Sequence, residues 1–176
     1  MELIEWFDEN NEKSLGIRER AEIHDQNLWH REISVWVMNQ NNELLLQRRS
    51  PMKKTGANKF SLTAGHVGAK EKEITAAIRE LSEEIGINVN EEDLILLDIY
   101  KNEQEHNNCF SYTYLLKTDK KIEDMTMQEE EVSELKYISI SELEDRLDKM
   151  DKEINFVGKP LIRYALDKIK AEYLNK

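Results

Sequence analysis

The chain is poor in the features that build covalent cross-links and membrane anchors. It has one cysteine among 176 residues, Cys109, so no intrachain disulfide can form, and we expect a reducing compartment. No apolar run approaches the roughly 18–20 residues that span a bilayer. The first ten residues, MELIEWFDEN, are acidic and lack the basic-then-apolar order of a secretion signal. We therefore expect a cytoplasmic protein without a membrane partner.

Positive charge is also scarce. Lysine and arginine number 25 against 36 aspartate and glutamate residues, which gives a net charge of −11. A general nucleic-acid-binding protein needs a basic face, so this balance argues against a nucleic-acid polymer as the partner. It also argues against adsorption to anionic lipid. An acidic protein can still bind phosphate groups where its few basic residues converge, or where a metal ion reverses the local charge.

Apolar periodicity predicts a single domain over 1–176 with a mixed α/β architecture. Strands outnumber helices, and hairpins surround one central helix, so the expected fold class is α/β (α+β), a mixed sheet with helices on both faces. The segments 9–16 and 18–30 look like a turn and a polar connection, and 119–134 like a charged loop. The predicted strands are 3–8, 31–39, 43–50, 60–67, 93–102, 109–118 and 135–140. One predicted helix ends at Gly86, a second begins with a serine cap at Ser141, and a third covers 159–174.

The central helix carries an unusual group of acidic side chains. At about 100° per residue its apolar residues fall on one arc, and Glu80, Glu83 and Glu84 fall on a narrow arc nearly opposite. Like charges three or four positions apart destabilise a helix by roughly 0.2–0.5 kcal/mol per pair. One interpretation is a solvated acidic face. We favour a divalent-cation site, because Mg²⁺ binds through a few carboxylates and completes its shell with water and substrate phosphate oxygens.

This segment resembles the Nudix box. Gly65, then Glu71 after five residues, then RELSEEIGI (79–87) after seven more match every fixed position of G-x5-E-x7-R-E-U-x-E-E-x-G-U, in which U is apolar. The resemblance implies an α/β/α sandwich of the Nudix type with a core over 30–146, preceded by a strand and turn over 1–29. It also implies hydrolysis of a diphosphate linkage in a small molecule, a nucleoside diphosphate-X or a nucleoside di- or triphosphate.

The resemblance further assigns roles to the box. It implies Mg²⁺ or Mn²⁺ as cofactor, with Arg79 orienting Glu83 and Glu71 holding the turn before the helix. Gly65 and Gly86 are the structural glycines of the motif. The implied metal ligands are the carboxylates of Glu80, Glu83 and Glu84 and the backbone carbonyl of Ala64.

The general base stays open in this comparison. A carboxylate takes the proton of the attacking water, and in the family it belongs either to the box, here Glu80 or Glu83, or to a later loop. The acidic run 129–131, with Glu130 at its centre, lies in such a loop. A solvated charge cluster is the alternative interpretation of that run.

A narrower resemblance extends over nearly the whole chain, to isopentenyl-diphosphate isomerase of the Nudix type and its hydrolase relatives. It rests on WHREISVWVMN, LLLQRRSPMKK, the AGHV turn and the segment around Phe156 and Pro160. It implies that basic residues grip the substrate diphosphate, a task that suits a bidentate arginine and a mobile lysine; solvated surface charge is the alternative. These basic residues are Arg20, Arg49 and Lys53. Three histidines correspond roughly to metal ligands of the isomerase: His24, His30 and His66, the last of which we expect to line the site.

The residues for carbon-acid chemistry are missing, however. The isomerase cysteine is replaced by Ala64, and its pair of strand glutamates aligns with Asn107 and Cys109. A hydrolase is therefore the leading hypothesis, with an isomerase and a non-catalytic Nudix ligand-binding module as alternatives. The leaving group X stays open, as does the oligomeric state, for which a homodimer is a candidate because family members are often dimers.

Overall fold

The order of elements along the chain agrees with the sequence patterns, with two additions near the N-terminus. The computed structural model describes residues 2–156 and 160–174. Over these residues the α-helices are α1 Arg20–Asp25, α2 Glu73–Ile85, α3 Ile140–Asp148 and α4 Pro160–Ile169, which continues into a π-helical turn, Lys170–Leu174. The strands are β1 Leu3–Phe7, β2 Ser14–Glu19, β3 Trp29–Met38, β4 Glu43–Arg49, β5 Phe60–Ser61, β6 Thr63–His66, β7 Leu94–Asn102, β8 Cys109–Lys117 and β9 Val132–Ser139.

Strand β3 is the centre of the sheet. It pairs in parallel with β8 and antiparallel with β1 and β6. The far side of β8 pairs antiparallel with β7, while β5 and β9 pair antiparallel with β4. One parallel pair among antiparallel pairs makes the sheet mixed, as the sequence predicts.

The predicted β3–β4 hairpin exists only at its turn. The two strands pair at Met38 and Leu44 and then diverge. The segment Phe60–His66 enters between them, because β5 pairs with β4 whereas β6 pairs with β3. This crossing brings the chain from Ala64 to His66 opposite helix α2, and so determines where the acidic helix faces the sheet.

Helices cover both faces of the sheet. Ile33, Val35 and Val37 of β3 pack with the apolar side of α2, whereas Trp36 and Met38 pack with α3 and α4 on the opposite face. Successive strand residues point to opposite faces, so an apolar run such as that of β3 is buried on both. Full burial of each such side chain contributes roughly 1.5–3 kcal/mol. The predicted sandwich, a mixed sheet with helices on both faces, is thereby confirmed.

Several local predictions were wrong. The supposed turn and polar connection contain β2 and α1, whose residues are mostly exposed, with only Ile23 of α1 buried. Such short exposed elements carry no readable periodicity. Strand β9 begins at Val132, inside the predicted charged loop. Helix α3 is capped by Ser139 rather than Ser141, because the Ser139 hydroxyl accepts the Glu142 backbone N–H at 3.1 Å.

The predicted end of the central helix and the predicted C-terminal helix agree better with the structure. Helix α2 ends at Ile85, and Gly86 follows with φ of +69°, the left-handed conformation that favours glycine. Of the predicted terminal helix, Lys159 lies outside the described residues. Within residues 2–156 and 160–174, no helix is both long and apolar enough to cross a membrane.

Candidate active site

The acidic cluster lies where β6 approaches helix α2. Gly65 pairs with Ile33 in the sheet and lies directly against the side chain of Glu80. A Cβ atom at position 65 would lie 2.1 Å from Glu80 Oε1, well inside any allowed contact. The glycine is therefore required by this close approach and not by its backbone angles.

Arg79 ties the box together. Its Nε and Nη2 atoms donate to the two oxygens of Glu71 at 2.9 and 3.1 Å, a bidentate pair. Its Nη1 donates to Glu80 at 2.7 Å and to Glu83 at 3.2 Å, and Nη2 also donates to the backbone carbonyl of His66 at 3.1 Å. The hydrogen bonds to Glu71, and then to Glu80, raise the pKa of Arg79, so the guanidinium stays charged.

Glu71 secures the turn that precedes the helix. Its Oε2 accepts the backbone N–H of Gly68 at 2.8 Å while the carboxylate holds Arg79. Burial opposes ionisation of Glu71, but the Arg79 and Gly68 hydrogen bonds outweigh it and lower its pKa. The turn, the helix and β6 are thus joined through one ion pair.

The three box carboxylates lie in different environments, although they fall on one narrow arc of the helix. Glu83 is open to solvent, with 54% of its side chain exposed, whereas Glu84 is only 5% exposed. Glu84 turns back toward β4, where Gln47 Nε2 donates to its Oε2 at 2.8 Å. Burial raises the pKa of Glu84 to about 8 and also raises the pKa of Glu80. A buried carboxylate of this kind is costly unless a cation faces it.

One cavity of about 340 Å³ collects most of the predicted site residues. It is lined by the three box glutamates and by the three basic residues predicted to grip a diphosphate. Ala64, Gly65 and His66 complete the side formed by β6. In the structure Lys53 forms an ion pair with Glu131, and Arg20 forms one with Glu2 at 2.9 Å. Basic groups and the box carboxylates therefore border one space of ligand size.

The loop acid that reaches this cavity is Glu131 and not Glu130. Glu130 is exposed and lines a neighbouring surface depression with Lys54 and Thr55. The backbone decides this: Ser50 N–H donates to the Glu131 carbonyl at 2.8 Å, and Gln128 N–H donates to the Glu84 carbonyl at 3.1 Å. This turn is therefore fixed between the end of β4 and the end of α2, with the Glu131 side chain directed inward.

The three histidines converge beside the cavity. Their candidate ligand atoms all lie within 4.8 Å of one another, and His24 Nε2 is 3.0 Å from His66 Nε2. Glu32 lies between two of them, 3.4 Å from both His30 Nε2 and His66 Nε2. Burial lowers the pKa of His66 to about 4, so its imidazole is neutral near pH 7. Imidazole groups with one carboxylate suit a transition metal better than Mg²⁺.

Sequence reasoning missed several side chains at the site. Gln47 is the first polar residue after the apolar run LLL of β4, whereas Glu32 lies in the polar stretch HRE before the apolar alternation of β3. A polar residue within a predicted buried strand was the available signal for Gln47. Glu2 also lines the cavity, and nothing in its acidic N-terminal surroundings indicated this.

A model of the NUDIX domain matches residues 28–157. The chain belongs to the Nudix family. An uncharacterized Nudix hydrolase of Clostridium acetobutylicum is 33% identical to this Nudix protein over 180 residues, which cover 96% of the chain and 86% of the relative. An isopentenyl-diphosphate Delta-isomerase of Pectobacterium atrosepticum is 35% identical over 80 residues, 45% of each protein. The match to the Clostridium protein thus places this chain in the Nudix hydrolase family.

Solved structures agree on the fold. DR0079 from Deinococcus radiodurans aligns with a TM-score of 0.74 and 21% identity, covering 93% of this Nudix protein and 99% of that chain. A bifunctional NMN adenylyltransferase/ADP ribose pyrophosphatase from Francisella tularensis, in complex with AMP and a Mn ion, aligns with a TM-score of 0.55 and 19% identity. The second match covers 81% of this chain and 41% of the other. At these identities the likeness shows the fold alone.

The contact between Gly65 and Glu80 yields a first prediction. In Gly65→Ala the new methyl group must displace the Glu80 carboxylate, since that side-chain end moves more easily than the sheet. We expect hydrolysis to fall at least about 100-fold while the melting temperature changes by only a few degrees. Steady-state rates and thermal unfolding check this. Activity equal to the parent's in folded Gly65→Ala would contradict the assignment.

Proposed function

We propose that this Nudix protein is a divalent-metal-dependent hydrolase that cleaves the diphosphate linkage of a nucleoside diphosphate-X or a nucleoside di- or triphosphate. The observation that supports the proposal is the lining of one cavity, where the three box carboxylates and the three basic side chains border the same space. A diphosphate needs both sides: basic groups to bind its oxygens, and a cation-binding group to neutralise the rest of its charge.

The donor set of the acidic side fits Mg²⁺ or Mn²⁺. It consists of oxygen atoms, from the carboxylates of Glu80, Glu83 and Glu84 and the carbonyl of Ala64, which hard cations prefer. The buried position of Glu84 also fits, because a nearby cation would offset the cost of its charge. When bound, the cation neutralises phosphoryl charge and makes water a stronger acid.

The protein's own residues bind and orient the substrate. We assign Arg49, Lys53 and Arg20 to the diphosphate oxygens, where guanidinium and ammonium donors form charge-assisted hydrogen bonds. The present ion pairs Lys53–Glu131 and Arg20–Glu2 hold these side chains at the cavity until substrate phosphate competes for them. Neutral His66 can donate or accept one hydrogen bond at the rim.

Two carboxylates are candidates for the base. Glu83 is exposed and held by a single 3.2 Å contact to Arg79, so it can move toward a water molecule. Glu131 faces the same cavity from the opposite loop. We assign the loop position to Glu131 in place of Glu130, because only Glu131 lines the cavity with the box.

The histidine cluster favours the isomerase as the second candidate function. Ala64 lacks a side chain able to exchange protons with carbon, and Asn107 is not acidic. The histidine cluster therefore retains candidate metal ligands, but the groups that would protonate and deprotonate carbon in such an isomerisation are absent at these positions. Hydrolysis remains the better supported activity.

A substrate panel tests the proposed function. Purified protein with nucleoside di- and triphosphates, ADP-ribose and isopentenyl diphosphate should release phosphate or a monophosphate with Mg²⁺, and at least about 100-fold less after chelation. Running isopentenyl diphosphate in deuterated water adds a readout for proton exchange at carbon. Deuterium incorporation without hydrolysis would establish the isomerase instead, and tight binding without turnover would indicate a ligand-binding module.

A further inference from the structure

A continuous buried polar chain leads from the sheet to the acidic helix. The Thr63 hydroxyl donates to Gln47 Oε1 at 3.1 Å, and Gln47 Nε2 donates to Glu84 Oε2 at 2.8 Å. All three residues are buried, with exposures of 4%, 3% and 5%. The chain therefore links β6, β4 and α2 inside the protein, beneath the cavity.

The amide of Gln47 is more than a packing element. The three residues before it on β4 are buried leucines, so an apolar side chain of similar size would fill this position without desolvating an amide. A buried amide is tolerated where both of its ends are hydrogen-bonded, and here both are, by Thr63 and Glu84. The group thus holds one particular carboxylate oxygen at one particular place.

The three box carboxylates are held by different donors. Arg79 contacts Glu80 and Glu83, and as a cation it competes with a metal ion for their charge. Glu84 is held by a neutral amide instead, so its charge is not offset by a protein cation at hydrogen-bonding distance among the described contacts. A neutral donor fixes the direction of the carboxyl group without placing a competing positive charge beside it.

We propose that Gln47 is a positioning residue for cation binding, and that Thr63 sets its orientation. The Thr63 hydroxyl donates to Oε1 of Gln47 and so stabilises the amide orientation that presents Nε2 to Glu84. The amide in turn holds Oε2 of Glu84, which leaves Oε1 for the cavity. This inference rests on the proposed metal-dependent function and adds two residues outside the box to the metal-binding machinery.

The test measures Mg²⁺ affinity directly by isothermal titration, without substrate. Mg²⁺ is the probe because the neighbouring imidazoles favour transition metals. In Gln47→Met, of similar volume, we expect Mg²⁺ binding to weaken about 10–100-fold, the usual effect of losing an outer-shell partner. Thr63→Val keeps the amide but loses its orientation, so we expect a smaller loss of about threefold to tenfold. The Mg²⁺ concentration for half-maximal hydrolysis should rise by the same factors, while KM for the substrate at saturating Mg²⁺ stays constant.

Thr113→Val is the matched control. It removes another buried hydrogen bond of the same sheet, between Ser34 and Thr113 at 3.2 Å. We expect a similar loss of thermal stability with unchanged Mg²⁺ affinity. If folded Gln47→Met binds Mg²⁺ as tightly as the parent, the positioning role alone is overturned. If Gln47→Met does not fold, the same result in Thr63→Val overturns it. Absence of Mg²⁺ binding by the parent chain would overturn the proposed function as well.

Discussion

Replacing Glu83 by glutamine should reduce hydrolysis by about 10³-fold or more and leave the fold intact. The side chain is 54% exposed, and its only described contact is one hydrogen bond from Arg79, so its removal costs little stability. The same change takes away a carboxylate that serves as cation ligand or base, and a single such group contributes roughly 10²–10⁴-fold to a rate. Initial rates at saturating Mg²⁺, paired with circular dichroism of both proteins, provide the measurement.

Glu92→Gln supplies the charge-matched comparison for Glu83→Gln. Glu92 is exposed on the short 3₁₀ helix Glu91–Asp93, which follows α2 and does not line the cavity. It should retain the full rate. If Glu83→Gln also kept more than about a tenth of the parental rate, neither a ligand nor a base could be assigned to this position.

Replacing Glu84 by glutamine should make the metal-free protein more stable at alkaline pH. Burial raises the pKa of Glu84 from an ordinary 4.5 to about 8. The folded state therefore holds a proton that the unfolded chain releases. The stability contributed by this proton is complete below about pH 4.5, and it is lost as the pH rises toward and through 8. The full shift corresponds to at most about 5 kcal/mol.

We expect Glu84→Gln to raise the free energy of unfolding at pH 8.5 by at least about 2 kcal/mol without Mg²⁺. At pH 4.5 the two proteins should agree within about 0.5 kcal/mol. Adding Mg²⁺ should stabilise the parent but not the variant, and hydrolysis by the variant should be lost. Urea unfolding at several pH values measures these differences. A variant that is less stable than the parent at pH 8.5 without metal would show that the buried carboxylate is not destabilising.

These two expectations differ although the residues are neighbours in one motif. Glu83 points into solvent and Glu84 points to Gln47 on β4, so only the second is desolvated. The helical arc alone placed both on the face away from the core. No local pattern shows that β4 lies beside that flank of the helix, as the hydrogen bond from Gln47 to Glu84 establishes.

Much of the architecture was accessible from local signals. The apolar alternation of β3 indicated a strand buried on both faces, and Gly86 marked the end of α2, as the structure confirms. The short exposed elements β2 and α1 were missed, because strand pairing with β1 and not a hydrophobic pattern defines the first of them. The cap of α3 was predicted at Ser141, two residues too late, since the hydroxyl groups of Ser139 and Ser141 offer the same chemistry.

Local patterns were enough to establish the mixed fold class, the spacing of the acidic box and, through it, the kind of chemistry that the chain supports. These follow from residues close together along the chain, where helical and strand periodicity fix the geometry. Three features of the site appear only in the folded chain: Glu131 enters the cavity, Glu84 is buried against Gln47, and the three histidines meet beside Glu32. Each of these depends on contacts between distant segments, whose relative positions are set by sheet pairing and core packing and not by local pattern.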